Sequence, residues 1–478
     1  MTDDQIELRP ANENPWYVLA TYHGEQTGDE FDEDLHAKNR KVWNRWVAAA
    51  MSGIDRRKLI DDGRATAAEL KPFSPEERRE LWAGCRYPEL PAPDPASSIS
   101  FNETVFACFV SFDHFIFPST TRFTRSEFRG NVAFMHASFQ EHAIFEYATF
   151  QNTADFGHAV FKEFTFFEHA VFEKLTCFEY AVFQKIAIFE HAVFQRIAIF
   201  EHAVFEEFAF FEDAVFEGDA IFEHTAFQKN ATFMDTAFEK NARFNGSAKL
   251  DDAQQFRQFA GSTYYNGATF SGSADFTNRE FLDKTHFNNA KFLNQAPVFA
   301  DTKLHEGTTW HGVQWPGTPD DPLAARNMAD AYSHLRRRSN AIQDHEAELD
   351  FYGRELRAKR AAVGGATGFL ISLYEWSCGF GASVGLPLVW LFGLWASGPP
   401  FCRALLRLEG SAEIDGLTLY GFSLASVGGF FGMRKEFFSE FMKDLPGTVL
   451  ALSGAQSLLG AVFVFLLGLS LRNRFRIK

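Results

Sequence analysis

From Phe101 to Phe244 the apolar positions of this chain keep a strict beat. Phenylalanine falls at 101, 106, 112, 117, 123 and 128, and the alternation of five- and six-residue steps runs on through Phe189, Phe194, Phe200 and Phe205 to Phe244. A small residue stands two positions earlier at most of these sites, as at Ala170, Ala181, Ala192 and Ala203, and polar residues fill the gaps. The unit is eleven residues long, but a helix does not fit it. At about 100° per residue, a step of five turns roughly 140°, so successive phenylalanines would lie on nearly opposite flanks. A strand does fit, because residues i and i+2 share one face. Ala-x-Phe is then a short strand with both ends inward, followed by a corner. Four such faces close a coil of about 22 residues, paired to the coils above and below at about 4.8 Å. The pattern predicts a mainly β chain built on a right-handed quadrilateral β-helix. No proline occurs between Pro118 and Pro297, as a paired ladder requires.

These residues resemble the pentapeptide-repeat family, whose unit places a small residue two positions before a central Leu or Phe. The resemblance implies a solenoid over residues 100–316, with phenylalanine at nearly every centre. After Phe244 the beat falters through Leu250 and Phe256, then resumes in a new phase at Phe259, Tyr265, Phe270 and Phe276. Residues 251–258 read as a looped-out coil within one domain. Trp310 and Trp315 are expected to close the far end of the stack.

The flanking pattern is different. Residues 1–95 read as a small α-rich region with a strand at Trp16–Tyr22, a helix from Leu35 to Met51, and a second helix opened by a Ser74/Glu77 capping box. Trp43 and Trp46 read as core, or as a lid on the first coil, ahead of a binding surface. Proline-rich residues 87–98 read as a linker. A linking helix is expected over 322–362, with Met328, Leu335, Ile342, Leu349 and Leu356 on one stripe. The string Glu348–Leu356 resembles the helix that joins repeats to membrane segments in some pentapeptide-repeat proteins, and Leu471–Arg476 resembles the tail of that subgroup.

Beyond it, the 27 residues Trp376–Cys402 and the 27 residues Leu445–Leu471 carry no charge. Each is ample for a span of roughly 20 residues. The reading is a membrane domain over 366–478, with two transmembrane helices at about 376–400 and 447–471. Gly416–Met433 reads as a re-entrant or interfacial segment. Basic residues flank the first span (Arg354, Arg357, Lys359, Arg360) and the last (Arg472, Arg474, Arg476, Lys478). The positive-inside rule then puts both flanks, and the β-helix, in the cytoplasm of a bacterial-type inner membrane. No signal peptide is read at the acidic, polar start.

Charge narrows the function classes. The 478 residues carry a formal net charge of −16. Between Phe139 and Phe244 there are 18 acidic and seven basic side chains, which argues against direct nucleic-acid binding. The five cysteines are scattered, so neither disulfide framework nor zinc site is indicated. No nucleophile motif or phosphate-binding loop appears, so no enzyme activity and no cofactor are expected.

The candidate interaction surface is the set of corner residues Glu168, His169, Glu190, His191, Glu201, His202, Glu212, Glu223 and His224. Stacked imidazoles and carboxylates suit a divalent metal or a pH response. The simpler reading is a duplicated corner facing water, and no metal is assigned. The preferred function is a membrane-anchored scaffold presenting an acidic β-helix to an unidentified protein partner, with lipid as its second contact. Self-association through the membrane segments is left open. Two alternatives stand beside it. One is a two-span pore around Ser423–Gly432, although the Gly-Tyr-Gly-Asp filter sequence is absent. The other is a nucleic-acid mimic, as in pentapeptide-repeat proteins that bind type II topoisomerases.

Overall fold

The computed structural model describes residues 8–26, 31–246, 258–410 and 414–475. The chain divides into two compact units, Met1–Gly317 and Thr318–Lys478. Leu250, Phe256, residues 251–257 of the loop read at 251–258, and the basic Arg476 and Lys478 lie outside the described residues.

The first unit is built on four parallel sheets of ten, nine, eight and eight strands. Each strand is only two residues long, apart from Thr104–Phe106. Consecutive strands in the chain go to different sheets, and each pairs with the strand one coil away, as Val160 does with Val182 and Val182 with Val204. The pattern inside each face is the one the sequence dictates. In Ala198-Ile199-Phe200 the outer two side chains are fully buried and Ile199 is half-exposed.

Burial gives the column its order. Phe200 lies parallel to Phe178 at 4.9 Å and to Phe222 at 4.7 Å, and it meets Phe189 and Phe211 edge-on at 5.6 Å. The ladder spacing of about 4.8 Å is also a spacing at which phenyl rings stack favourably with an offset. Backbone pairing and ring packing therefore reinforce one another along all four stacks. At the break, ladder partners change from 22 to 32 residues apart, yet all four sheets continue across it. The slot two residues before Phe281 holds Arg279 in place of a small residue. Its guanidinium is fully buried over the Phe259 ring, donates to the Thr225 carbonyl at 2.7 Å, and is pushed down to about 9 by burial. Trp310 and Trp315 extend two of the stacks over Phe287 and Phe292.

Residues 8–98 form the other end of this unit. Trp16–Tyr22, read from sequence as a strand, is instead a helix, α1 (Pro15–Ala20), with Asn14 as its cap and proline at its first turn. Helices α2 (Glu33–Val47), α3 (Gly53–Asp61) and α4 (Pro75–Ala83) follow, and α4 carries the Ser74/Glu77 capping box. Helix α2 closes the open coil. Trp43 is fully buried against Phe101, Phe115 and Phe117, and its Nε1 donates to the Ile116 carbonyl at 2.8 Å. Asn44 accepts from Ile116 N and donates to the His114 carbonyl, while His36 Nε2 sits 3.0 Å from the Asp113 carbonyl. These side chains occupy the backbone groups that the first coil has no neighbour to satisfy. Strand Arg9–Pro10 pairs with Thr104–Val105 and covers the same edge of one sheet.

The second unit is helical and corrects several expectations. The single linking helix is two helices, α5 (Pro322–Ala341) and α6 (His345–Val363), broken where Gln343 takes a positive φ of 59°. They pack as a hairpin in which the buried Glu355 holds both Arg336 and Lys359 at 2.6 Å. The uncharged run from Trp376 is not one span. Helix α7 (Gly365–Cys378) ends at Gly379, Phe380 and Gly381, all with positive φ, and α8 (Gly385–Leu408) leaves at 115° to it. A run of uncharged residues says nothing of three consecutive left-handed backbones. Helix α9 (Gly416–Val427) takes in the start of the filter-like stretch, and the Ser426 carbonyl in its last turn accepts from Ser457 Oγ at 2.7 Å. A short α10 (Met433–Phe438) precedes α11 (Gly447–Arg474).

Among the described residues α11 alone is a straight helix long and apolar enough to cross a membrane. The two-span hairpin, and with it the multi-pass inner-membrane placement, is not supported. The mainly β class is corrected too. Helical residues outnumber strand residues because each solenoid face contributes only a two-residue strand.

If the ring stacks carry the column, Phe200→Ala removes six aromatic contacts and leaves a cavity that two neighbouring coils cannot fill. The expected cost is about 3–5 kcal/mol, read as a lowered urea midpoint of the full chain. An unchanged midpoint would show that the stacks are dispensable.

Candidate interaction surface

Each five-residue step closes through the same turn. In Phe167-Glu168-His169-Ala170 the Ala170 N–H donates to the Phe167 carbonyl at 3.1 Å, and His169 has φ of 56°. A turn with its third residue in the left-handed region is a type II arrangement. The same conformation recurs every eleven residues from Glu103 to Asp235, with φ between 52° and 59°. Histidine, aspartate and asparagine tolerate this region better than most residues. The corner histidines are thus residues the backbone accepts at a strained position, before they are anything else. Tyr147 and Tyr180 are bulkier than such a site prefers, and both are held by ring stacking.

The nine candidate residues do not form one surface. A separation of 22 puts residues on the same corner, so alternate turns go to opposite corners of the column. Glu168, His169, Glu190, His191 and Glu212 share one corner with Tyr147 and Asp213. Glu201, His202, Glu223 and His224 share the diagonal one with Tyr180. On the first corner, Tyr147 stacks on His169 and His169 on His191, each at 4.7 Å. On the second, His114, His136, His158, Tyr180, His202 and His224 form a continuous file at 4.6–4.8 Å.

The environments differ as well. His169 and His191 are exposed, whereas His202 and His224 are half-buried. The start of the second file lies under the helical cap, where Arg64 Nη1 donates to the His158 carbonyl at 2.8 Å. Burial, and then the His136 ring, push His114 down to about 4.

Carboxylates stacked one coil apart repel. Burial first, and then Glu212 and Glu168, push Glu190 above its ordinary range. Glu201 is raised by burial and then by Glu223. Arg243 offsets part of this at the second corner, lying 3.7 Å from Glu223 and 3.8 Å from Asp219. The 22-residue arithmetic carries the division into two corners. The pairing by Arg243, the half-burial and the contact from Arg64 depend on tertiary packing and leave no local signal.

Two outcomes test this corner geometry. His191→Val places a β-branched residue at a left-handed φ and should lower the melting temperature, whereas His191→Asn should leave it nearly unchanged; equal effects would contradict the turn. A carboxyl raised by folding contributes stability below its unfolded value of 4.5 that is lost as pH rises through the folded value. Glu190→Gln should therefore raise the melting temperature at pH 7 and shrink the gain on acidification.

A family model described as Pentapeptide repeats (9 copies) matches residues 123–171 and 200–248. No curated protein matches the chain, and no solved structure does. That fold is a non-catalytic one, and the described residues include no catalytic constellation. The four-sided column of this chain is a pentapeptide-repeat β-solenoid domain.

Proposed function

We propose that the protein is a non-enzymatic scaffold whose acidic solenoid docks a basic protein partner, with the C-terminal helical unit as its membrane anchor. The observation that carries the reading is the pair of corner files, where carboxylates repeat once per coil on a backbone fixed by ladder pairing. Glu146, Glu168, Glu190 and Glu212 line one edge, and Glu179, Glu201 and Glu223 the diagonal one. Rigid, evenly spaced charge favours a partner with basic groups at matching intervals, and costs little conformational entropy to engage. Like-charge crowding adds to this, because a cationic partner relieves repulsion that folding has left in place.

Support for anchoring comes from α11 and from the apolar side chains the helical unit leaves exposed, among them Phe369, Trp376, Phe392 and Phe465. Within that unit Ser423, Ser426, Ser453 and Gln456 are buried. Gln456 Nε2 donates to the Leu394 carbonyl and to Ser423 Oγ, and Ser423 Oγ donates to the Trp395 carbonyl. Gly398 makes room for this cluster, since a Cβ there would lie 2.2 Å from Ser423 Oγ. Small residues and buried hydrogen bonds of this kind join helices in an apolar solvent.

Reversal of Glu168, Glu190 and Glu212 to lysine should release a co-purifying partner from the detergent-solubilised full chain without changing its circular dichroism. Retention of the partner at high salt in the reversed chain would exclude the acidic edge as the contact. The full chain should also float with liposomes under alkaline carbonate, and recovery in the unbound fraction would exclude the anchor.

A further inference from the structure

The two corner files also differ in how their carboxylates and imidazoles group. On the second corner, Glu201, His202 and His224 bring one carboxylate oxygen and two imidazole nitrogens within 4.8 Å of one another. The corresponding residues of the first corner, Glu168, His169, Glu190 and His191, form no such group among the described residues. We propose that Glu201, His202 and His224 bind a borderline divalent transition-metal ion, of the zinc, cobalt or nickel type, which staples two successive coils of the solenoid. The inference does not rest on the scaffold reading.

Four features of the structure converge on it. The backbone delivers both imidazoles. His202 N donates to the Glu223 carbonyl at 3.1 Å and His224 N to the Asn245 carbonyl at 3.0 Å, so the rings are held one ladder step apart at 4.7 Å. The rings are also the least parallel of the pairs in their file, tilted by 20° where Tyr180 and His202 are tilted by 3°. The carboxylate has already turned toward them, with Glu201 Oε1 at 3.8 Å from His202 Nε2. Its neighbour Glu223 is directed instead to Arg243, which leaves Glu201 to the histidines. Finally, all three donors are half-buried, so side-chain rotation is partly restricted while the site stays open to solvent.

Donor chemistry selects the ion. Two neutral imidazoles and one carboxylate suit zinc and its neighbours, whereas calcium and magnesium require a shell of oxygens. Three donors around one ion at about 2.1 Å lie roughly 3.4 Å apart in a tetrahedral site, a small closure from the present separation. The fourth position would belong to water or to a side chain of a partner.

The spacing of the ligands defines the consequence. A single ion would join residues 22 apart in sequence and adjacent in space, and so would raise the stability of the native column by mass action. The earlier pairs in the same file lack the glutamate. His114, His136 and His158 are preceded by Asp113, Met135 and Gly157, and Asp113 Oδ1 is taken by the Met135 amide.

The test is cobalt binding to the purified, chelator-treated full chain, followed by absorption in the visible d–d region and by zinc competition. The expected result is about one equivalent of cobalt with a tetrahedral spectrum, displaced by zinc. His202→Asn and His224→Asn keep a residue that tolerates the left-handed corner, and each should weaken binding by at least about tenfold. Glu201→Gln, at a position outside the strained backbone, should do the same and guards against a variant that fails to fold. The double change His169→Asn with His191→Asn should leave binding intact. Absence of saturable binding, binding that survives His202→Asn and His224→Asn, or equal loss in the control pair would overturn the proposal.

Discussion

Two spacings coincide in this protein, and its architecture follows from the coincidence. Paired strands stand about 4.8 Å apart, and flat aromatic rings pack favourably at nearly the same separation when offset. A chain that places phenylalanine once on every face lets one geometry serve both the backbone hydrogen bonds and the interior. No single eleven-residue unit buries its own ring, so stability comes only from neighbours, and the column is cooperative along its length. The ends then become the vulnerable places. At the first coil Trp43, Asn44 and His36 supply the missing ring contact and hydrogen-bond partners. At the other end of that unit Trp310 and Trp315 extend the stacks with larger rings.

The same constraint explains the corners. A five-residue step must turn within two residues, which forces a left-handed backbone at the second of them. Histidine, aspartate and asparagine recur there because the turn admits them. A file of stacked imidazoles and carboxylates is therefore first a by-product of folding. What distinguishes a usable surface from that by-product is departure from the repeat. Glu201, His202 and His224 depart from it through burial, ring tilt and a carboxylate turned inward.

Much of the column was legible in the sequence because its signal is period and not propensity. The alternation of five and six rules out a helix by angle alone, and Ala-x-Phe carries the inward and outward alternation of each strand. The division of the corner residues follows from counting 22. Other parts were not legible. Trp16–Tyr22 has strand-like composition, but Asn14 and Pro15 start a helix there. Gln343 splits a stripe of apolar residues that reads as continuous. The charge-free run after Trp376 satisfies a span by composition, yet Gly379, Phe380 and Gly381 turn the chain through a right angle and more. Arg279, buried against the Phe259 ring, announces itself only as an exception to the small-residue slot. In each case a local backbone conformation or a tertiary partner overrode a pattern that was otherwise sound.

The stacking of coils is tested most directly by a distance. Spin labels at Tyr147 and Asp235, placed on a background without native cysteines, are 88 residues apart in sequence and four coils apart on one corner. Pulsed electron–electron resonance should give a narrow distribution whose centre reflects a backbone separation of about 19 Å, widened by the label arms. A centre beyond about 40 Å, or a broad distribution without a peak, would contradict a column in which each coil lies one ladder spacing from the next.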